Sequence, residues 1–414
     1  MNRGQFFDRV IGVLTSLRLT VVCLILAAVL VFWGTLAQVD LGLYKVQNEF
    51  FRSFLIYWTP PHWGIKLPVF PGGYLVGGVL LINLISSHFQ RFKLTADKAG
   101  IWLIHAGVIL LLCGQFLTDR LSRESSLPLR EGETRNYSES DRETELAIID
   151  RTDPAADSVV AVPQRALMRQ GDIRQSTLPF VVKVKAFYAN SQVAERAPNA
   201  TQPPAATQGV GQRATVQAEP RVTDMDQRDV PSAVVELVAP QGSLGSWLVS
   251  EYVKAPQEVT CNHRTYQLAM RWRRFYKPFS LQLMEFRHDV YPGTEIPKNF
   301  SSRVLLQRPD TGEKREVLIY MNNPLRYGGE TFYQASWGKA KEDGATFTVL
   351  QVVHNPSWLT PYFSCILVGV GLVWQFMTHL LGFTLKRKTV PARSASVPAA
   401  APTPAGLALK HTKV

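Results

Sequence analysis

The stretch Ala99 to Leu117, AGIWLIHAGVILLLCGQFL, bounded by Lys98 and by Asp119 and Arg120, constrains the fold most. About twenty apolar residues, rising about 1.5 Å each, cross a hydrocarbon layer of about 30 Å as a helix. In that layer the backbone must satisfy its own hydrogen bonds, so helix is the only economical form for an isolated run. Within it stands His105, about two turns from Lys98. An ionisable side chain at such depth is costly and faces a partner, a cavity or a cofactor. Two readings follow from residue type alone. Either His105 hydrogen-bonds a neighbouring helix and stitches a bundle, or its neutral imidazole is an axial ligand to a haem iron.

Three other apolar runs accompany it. Leu17 to Ala37 follows Arg3, Arg9 and Arg18; it is too long for a signal-peptide core, and Trp33, Gln38 and Asp40 offer no small-residue cleavage site. Gly73 to His88 ends in the basic connector HFQRFKLTADK. Trp358 to about residue 382 precedes Lys386, Arg387 and Lys388. Basic flanks mark the cytoplasmic side. The expected layout is four membrane helices, at about 17–37, 73–88, 99–118 and 358–382, in the inner or cytoplasmic membrane with both termini cytoplasmic. The periodicity of Tyr44, Phe51, Leu55 and Trp58 predicts an interfacial helix over about 43–58, ended by Pro60 and Pro61. His88 and His379 sit at the cytoplasmic ends of the second and fourth spans. His88 reads first as an interfacial residue reaching for the headgroups, and both are secondary candidates for a haem ligand.

Between residues 119 and 357 the pattern changes to short alternating runs: Phe180 to Tyr188, Ser232 to Val238, Ser302 to Gln307, Glu316 to Met321 and Thr346 to Val353. Such runs, bounded by Pro, Gly, Asn or Asp, predict an antiparallel sandwich or open barrel. The fold class is therefore membrane α plus an external β-rich domain between helices three and four. Ala189 to Asp224 is poor in large apolar residues and reads as a flexible insertion, and the Ala/Pro/Ser-rich stretch 383–414 as a disordered cytoplasmic tail.

Composition excludes some classes. The 414-residue chain is too long for one ordinary core, and at 46% hydrophobic it is not apolar enough to be all membrane. Its net charge of +12 lies largely beside the apolar runs, which argues for a bilayer and against nucleic acid. Four cysteines lie far apart; Cys261 alone reads as water-facing, so no disulfide framework is expected, and the chain has no CxxCH of its own.

Some of these runs carry a resemblance. Gly34, Thr35, Leu36 and Gln38 close the first span; Lys98, Gly100, Ile101, His105, Gly107 and Leu110 to Leu112 mark the third. The external run begins with Tyr291, Pro292 and Gly293. It continues with Tyr320, Met321, Asn322, Pro324, Leu325, Tyr327, Gly329, Phe332, Tyr333, Gln334 and Ser336. Together they resemble the ResB/Ccs1 type of cytochrome c biogenesis protein. The resemblance implies a subunit of the two-component System II apparatus, paired with a CcsA-type membrane partner bearing a tryptophan-rich WWD segment. That pair moves haem b outward for attachment to apocytochrome c, with a thioredoxin-like reductant as a further candidate partner. It implies haem ligation at His105, that is, a metal role through the haem iron, and no catalytic residue in this chain alone. On that reading Ala106 and Gly107 would let a porphyrin edge approach the backbone. This sequence has no WWD segment, so it does not match the fused form. The external run reads as a structural hairpin from its Asn-Pro and Gly-Gly turn chemistry, with a docking surface as the alternative. A b-type electron-transfer subunit and a membrane-anchored scaffold are the competing functions.

Overall fold

The computed structural model describes residues 3–60, 65–91, 95–153, 156–197, 203–224, 227–294, 297–340 and 344–389. Its helices are α1 (Arg3–Leu14), α2 (Leu17–Leu41), α3 (Leu43–Val46), α4 (Gly73–Arg91), α5 (Ala99–Leu121), α6 (Gln164–Met168) and α7 (Thr360–Thr389). A small hairpin, β1 (Leu55–Trp58) and β2 (Leu67–Pro71), lies between α3 and α4. The large domain holds β3 (Arg123–Arg130), β4 (Thr134–Asp150), β5 (Ser158–Pro163), β6 (Asp172–Ile173), β7 (Val181–Tyr188) and β8 (Ser191–Glu195). It goes on with β9 (Ala214–Ala218), β10 (Ser232–Ala239), β11 (Gly242–Ser250), β12 (Gln257–Cys261), β13 (Arg264–Val290) and β14 (Pro297–Arg308). Its last strands are β15 (Glu313–Tyr320), β16 (Leu325–Tyr327), β17 (Glu330–Lys339) and β18 (Thr346–His354).

Among the described residues, three helices, α2, α5 and the part of α7 from Thr360 to Leu385, are long and apolar enough to cross a membrane. The fourth expected span is helical, as α4, but its second half carries Asn83, Ser86, Ser87 and His88, and it does not join those three. Asn83 is buried because it is used: it accepts from Thr20 Oγ1 at 2.6 Å and donates to the carbonyls of Leu14 and Ser16 at 2.6 and 3.1 Å. Those bonds satisfy the backbone where α1 breaks into α2. The interfacial segment differs from expectation. It is helical only through α3 and a π-helical turn, Gln47–Phe51; Leu55–Trp58 then pairs with Leu67–Pro71 as a strand. Leu55–Trp58, LIYW, is β-branched and aromatic and suits a strand as well as a helix; Ile56 is its buried residue. The tail also differs at its start, since α7 runs on to Thr389; residues 390–414 lie outside the described residues.

Ten strands form one antiparallel sheet, ordered β15-β14-β13-β4-β3-β18-β17-β16, with β12 on β13 and β5 on β4. The two long strands β4 and β13 serve two lobes. Their first and last halves respectively curl with β3 and β14 to β18 into a nearly closed barrel. Tyr320 and Asn323 exchange backbone hydrogen bonds at its seam, and Ser302 reaches Gln334 across it. Leu127, Leu129, Leu281, Leu283, Val304, Leu306, Phe332 and Leu350 fill that lobe. The other halves pack against a second sheet, β11-β10-β7-β6, over a core including Leu146, Ile148, Val182, Val235, Leu268 and Met270. At the waist, where neither core reaches, Arg271 pairs with Glu145 at 3.0 Å and Arg274 with Glu139 at 3.1 Å.

The expected flexible insertion is ordered over its described residues. β8 and β9 form a hairpin, Ala206 and Ala214 pack on Leu248, and Gln208 donates to Ser246 O at 2.9 Å. Small apolar side chains made this stretch look solvated, yet a layer that lies flat on β11 needs small residues. The chain just after it is also anchored. Arg142 donates to Asp224 O and Gln227 O at 3.2 and 2.9 Å and lies 4.3 Å over the Tyr44 ring.

Several surface carboxylates are held below their ordinary range by hydrogen bonds: Asp150 by Thr152, Glu236 by Lys185, Asp310 by Arg308 and Glu313 by Tyr327. A carboxylate whose pKa is lower folded than unfolded stabilises the fold above the unfolded value and ceases to do so as pH falls through the folded one. Thermal unfolding of the detergent-solubilised chain, followed by circular dichroism, is therefore expected to hold steady from neutral to mildly acidic pH. It should then move to lower temperature once the carboxylates protonate.

Candidate functional site

α5 uses two faces. Gly100, Gly107 and Gly114, seven apart, are buried toward α7. A Cβ on Gly100 would lie 2.7 Å from Gly371 O, one on Gly107 2.8 Å from Ser364 O, and one on Gly114 2.2 Å from Thr360 Cγ2. The helices approach backbone to backbone, as glycine permits in membranes. Gly107 is therefore spent on α7 and is not available to a porphyrin edge, which corrects that expectation; Ala106 is exposed.

The opposite face carries Trp102 and His105, three apart, against α4. There His88 is only 5% exposed. Its ring stands edge-on to Trp102, centroids 4.1 Å apart at 80°, and to His105, 5.1 Å apart at 71°. It does not reach for the interface, because the α4–α5 seam buries it. The structure thus brings two of the three candidate histidines together. It does not bring the third: α7 passes Ile104 at Gly371, and His379, bonded to Gln375 at 2.7 Å, lies about 12 Å further along the axis. Trp102 was missed in the sequence, though its i−3 spacing from His105 was the available signal.

Two imidazoles that share one iron stand on opposite haem faces, each with a nitrogen roughly 2 Å from the metal. His88 and His105, packed ring to ring, leave no slot for a porphyrin between them. His105 is a half-buried imidazole on an apolar helix, a residue that would fit one face of a haem.

At the ends of the helices nearest the β domain, Asp119 accepts from Arg52 at 2.6 Å and from Tyr74, clasping the chain after α3 to α4 and α5. Thr118 and Ser357 hydroxyls meet at 2.9 Å, tying α5 to the start of α7. Beyond them lies a group the sequence did not suggest. Lys277 Nζ bonds Glu330 at 2.6 Å with both side chains at most one-tenth exposed, and Arg123 stands 3.6 Å from the same carboxylate. Arg123 and Glu330 also flank His354 in adjacent strands.

Most of the external run has a packing place. Leu325 and Phe332 are core, Tyr327 donates to Glu313 at 2.6 Å and meets Phe279 edge-on, and Gln334 joins Ser302 and Thr348 in a buried polar layer. Asn322, at φ +62, and Gly329, at φ +78, make the turns; Pro324 leads into β16. Tyr291, Met321 and Tyr333 are exposed, and Pro292 and Gly293 turn the chain after β13. Cys261, expected at the surface, is 5% exposed within the second core, out of reach of a thiol partner.

A row of apolar helices carrying a two-lobed antiparallel domain, with histidines meeting at one helix seam, defines a membrane-anchored β protein. Comparison with known proteins adds a likeness over part of the chain: residues 241–348 match the ResB-like family. The match contains the whole external run. The chain is similar to protein NrfI of Wolinella succinogenes, 34% identical over 100 residues, 24% of this chain and 11% of that one. It is also similar to the cytochrome c biogenesis proteins CcsB of Synechococcus elongatus and Crocosphaera subtropica. The first is 33% identical over 101 residues, 24% of this chain and 22% of the relative; the second is 27% identical over 133 residues, 32% and 28%. The matches thus span between about a tenth and just over a quarter of these relatives.

Proposed function

We propose that this chain is a membrane subunit of a System II cytochrome c maturation apparatus, handling haem b as cargo beside a CcsA-type WWD partner for attachment to apocytochrome c. The observation that carries the reading is the ResB-like match over residues 241–348, in a chain that also sets His105 in an apolar helix. α4 serves as the fourth span, closing with α5 a hairpin whose basic connector faces the cytoplasm; both termini lie there and the β domain outside. His105 supplies one neutral imidazole to the iron, and the partner supplies the other. The chain is not an enzyme alone. The ring-to-ring contact of His88 and His105 disfavours the alternative of a b-type electron-transfer subunit, which would need its own facing pair. Burial of Cys261 leaves any thioredoxin-like reductant to act on the apocytochrome.

The test is covalent haem staining of c-type cytochromes in cells lacking the chain, complemented by wild type or by His105→Ala at equal membrane levels. Staining is expected to return only with the wild type. Full staining in the deletion strain would overturn the reading.

A further inference from the structure

The buried imidazole beside His105 is given no role of its own in the reading above. We propose that His88 is a positioning residue: it fixes the ring of His105 and closes the α4 side, so that an iron meets His105 only from the side away from α4. The inference rests on His105 being a haem ligand.

Three observations carry it. Trp102 and His105 stand one helical turn apart on the same face of α5, and the His88 ring touches both nearly perpendicularly, at 4.1 and 5.1 Å. A ring wedged between two others has few rotamers open to it, and His105 in turn is confined on that flank. His88 is also buried to 5% exposure, so it cannot become a ligand without leaving the wedge. His105 is less buried than His88, and Ala106 beside it is open. The open approach to His105 therefore lies away from α4. Neighbours that orient a ligating histidine tune metal affinity by about 10- to 100-fold. His88 acts on haem in this way, through His105, and the second axial ligand comes from outside α4.

The experiment titrates haemin into the detergent-solubilised full-length chain and its variants, reading affinity by absorbance and ligand geometry by low-temperature electron paramagnetic resonance. His105→Ala is expected to abolish tight binding. His88→Gly should weaken binding by about tenfold and broaden the resonance as the His105 ring loses its fixed plane. His88→Phe keeps an edge-on ring and should restore both. A wild-type resonance that shows two imidazole ligands, reduced to one in His88→Gly and not restored by His88→Phe, would show a lost ligand and overturn the proposal. So would His88→Gly that lowers only the unfolding temperature of the haemin-free protein, with affinity and line shape unchanged. Binding equal in wild type and His105→Ala, or absent from both, would instead remove the haem-ligand reading itself.

Discussion

Gly107→Leu is expected to drive α5 and α7 apart, whereas Gly77→Leu on α4 should be tolerated. The difference is geometric. A Cβ on Gly107 falls 2.7 Å from Val368 Cγ2 and 2.8 Å from Ser364 O, and the second neighbour is backbone, which cannot swing aside. A Cβ on Gly77 or Gly78 meets nothing within 4 Å. Overpacking costs typically about 1–3 kcal/mol where side chains can shift. Here helix must part from helix, so the cost lies at or above the top of that range. Even Gly107→Ala and Gly100→Ala should destabilise, while Gly77→Ala and Gly78→Ala should gain a few tenths to about 1 kcal/mol from helix propensity. Unfolding temperature in detergent and steady-state membrane level measure both sets. Equal behaviour of the Gly107 and Gly77 variants would mean that α5 and α7 do not pack through glycine. The prediction also separates two roles in one helix, since Gly107→Leu acts through α7 and leaves the His88 contact in place.

The sequence showed the helices because each is a long apolar run, and it showed the strands because alternation between Gly, Pro and Asn is a local signal. His105 stood out for the same reason: one polar residue in an apolar run is visible without any partner. What pairs with it is not local. His88 lies seventeen positions back, beyond a basic connector, and read as interfacial because its own neighbours Ser86, Ser87, Phe89 and Gln90 are those of a helix end. Only the packing of α4 on α5 buries it. Gly107 could be read as space for a ligand or as space for a helix; the choice depends on where α7 returns, more than 250 residues later. Cys261 failed as a surface thiol because its strand alternates, Gln257, Val259 and Cys261 facing in, and the polar residues between them set the apparent character of the stretch. The ResB-like run was legible as a resemblance and also as a hairpin. The structure shows why one set of residues supports both, since its apolar and amide side chains close the barrel.

The second large effect concerns the barrel end from which the membrane helices depart. Glu330→Leu is expected to destabilise the protein by about 3–5 kcal/mol, the cost of stranding a buried charge. The reason lies in the three groups that meet there. Lys277, with its side chain 5% exposed, has Glu330 as its salt-bridge partner at 2.6 Å, and its ammonium lies 5.7 Å over the Phe332 ring. Arg123 shares the carboxylate at 3.6 Å, but it is nearly half exposed and stacks on Phe275 at 4.2 Å, so it can turn to water. Lys277 cannot. Burial already pushes its ammonium below the ordinary lysine value, against the opposing pull of Glu330 and with a smaller push from Arg123 in the same direction. A lysine with a lower folded than unfolded pKa costs stability while protonated, and the cost is relieved as pH rises from the folded value toward the unfolded one. Removing Glu330 lowers that value further, so the destabilisation by Glu330→Leu should shrink as pH is raised above neutral. Lys277→Met with Glu330→Leu should recover most of the loss, because both buried charges leave together. Unfolding of the solubilised single and double variants, across neutral to alkaline pH, measures the cycle. A Glu330→Leu loss that is independent of pH, or undiminished in the double variant, would mean that Lys277 is not the stranded charge. The position gives the result its wider meaning. Arg123 opens the strand that follows α5 and His354 closes the one that precedes α7, so this pair fixes the barrel at the point where both helices enter it.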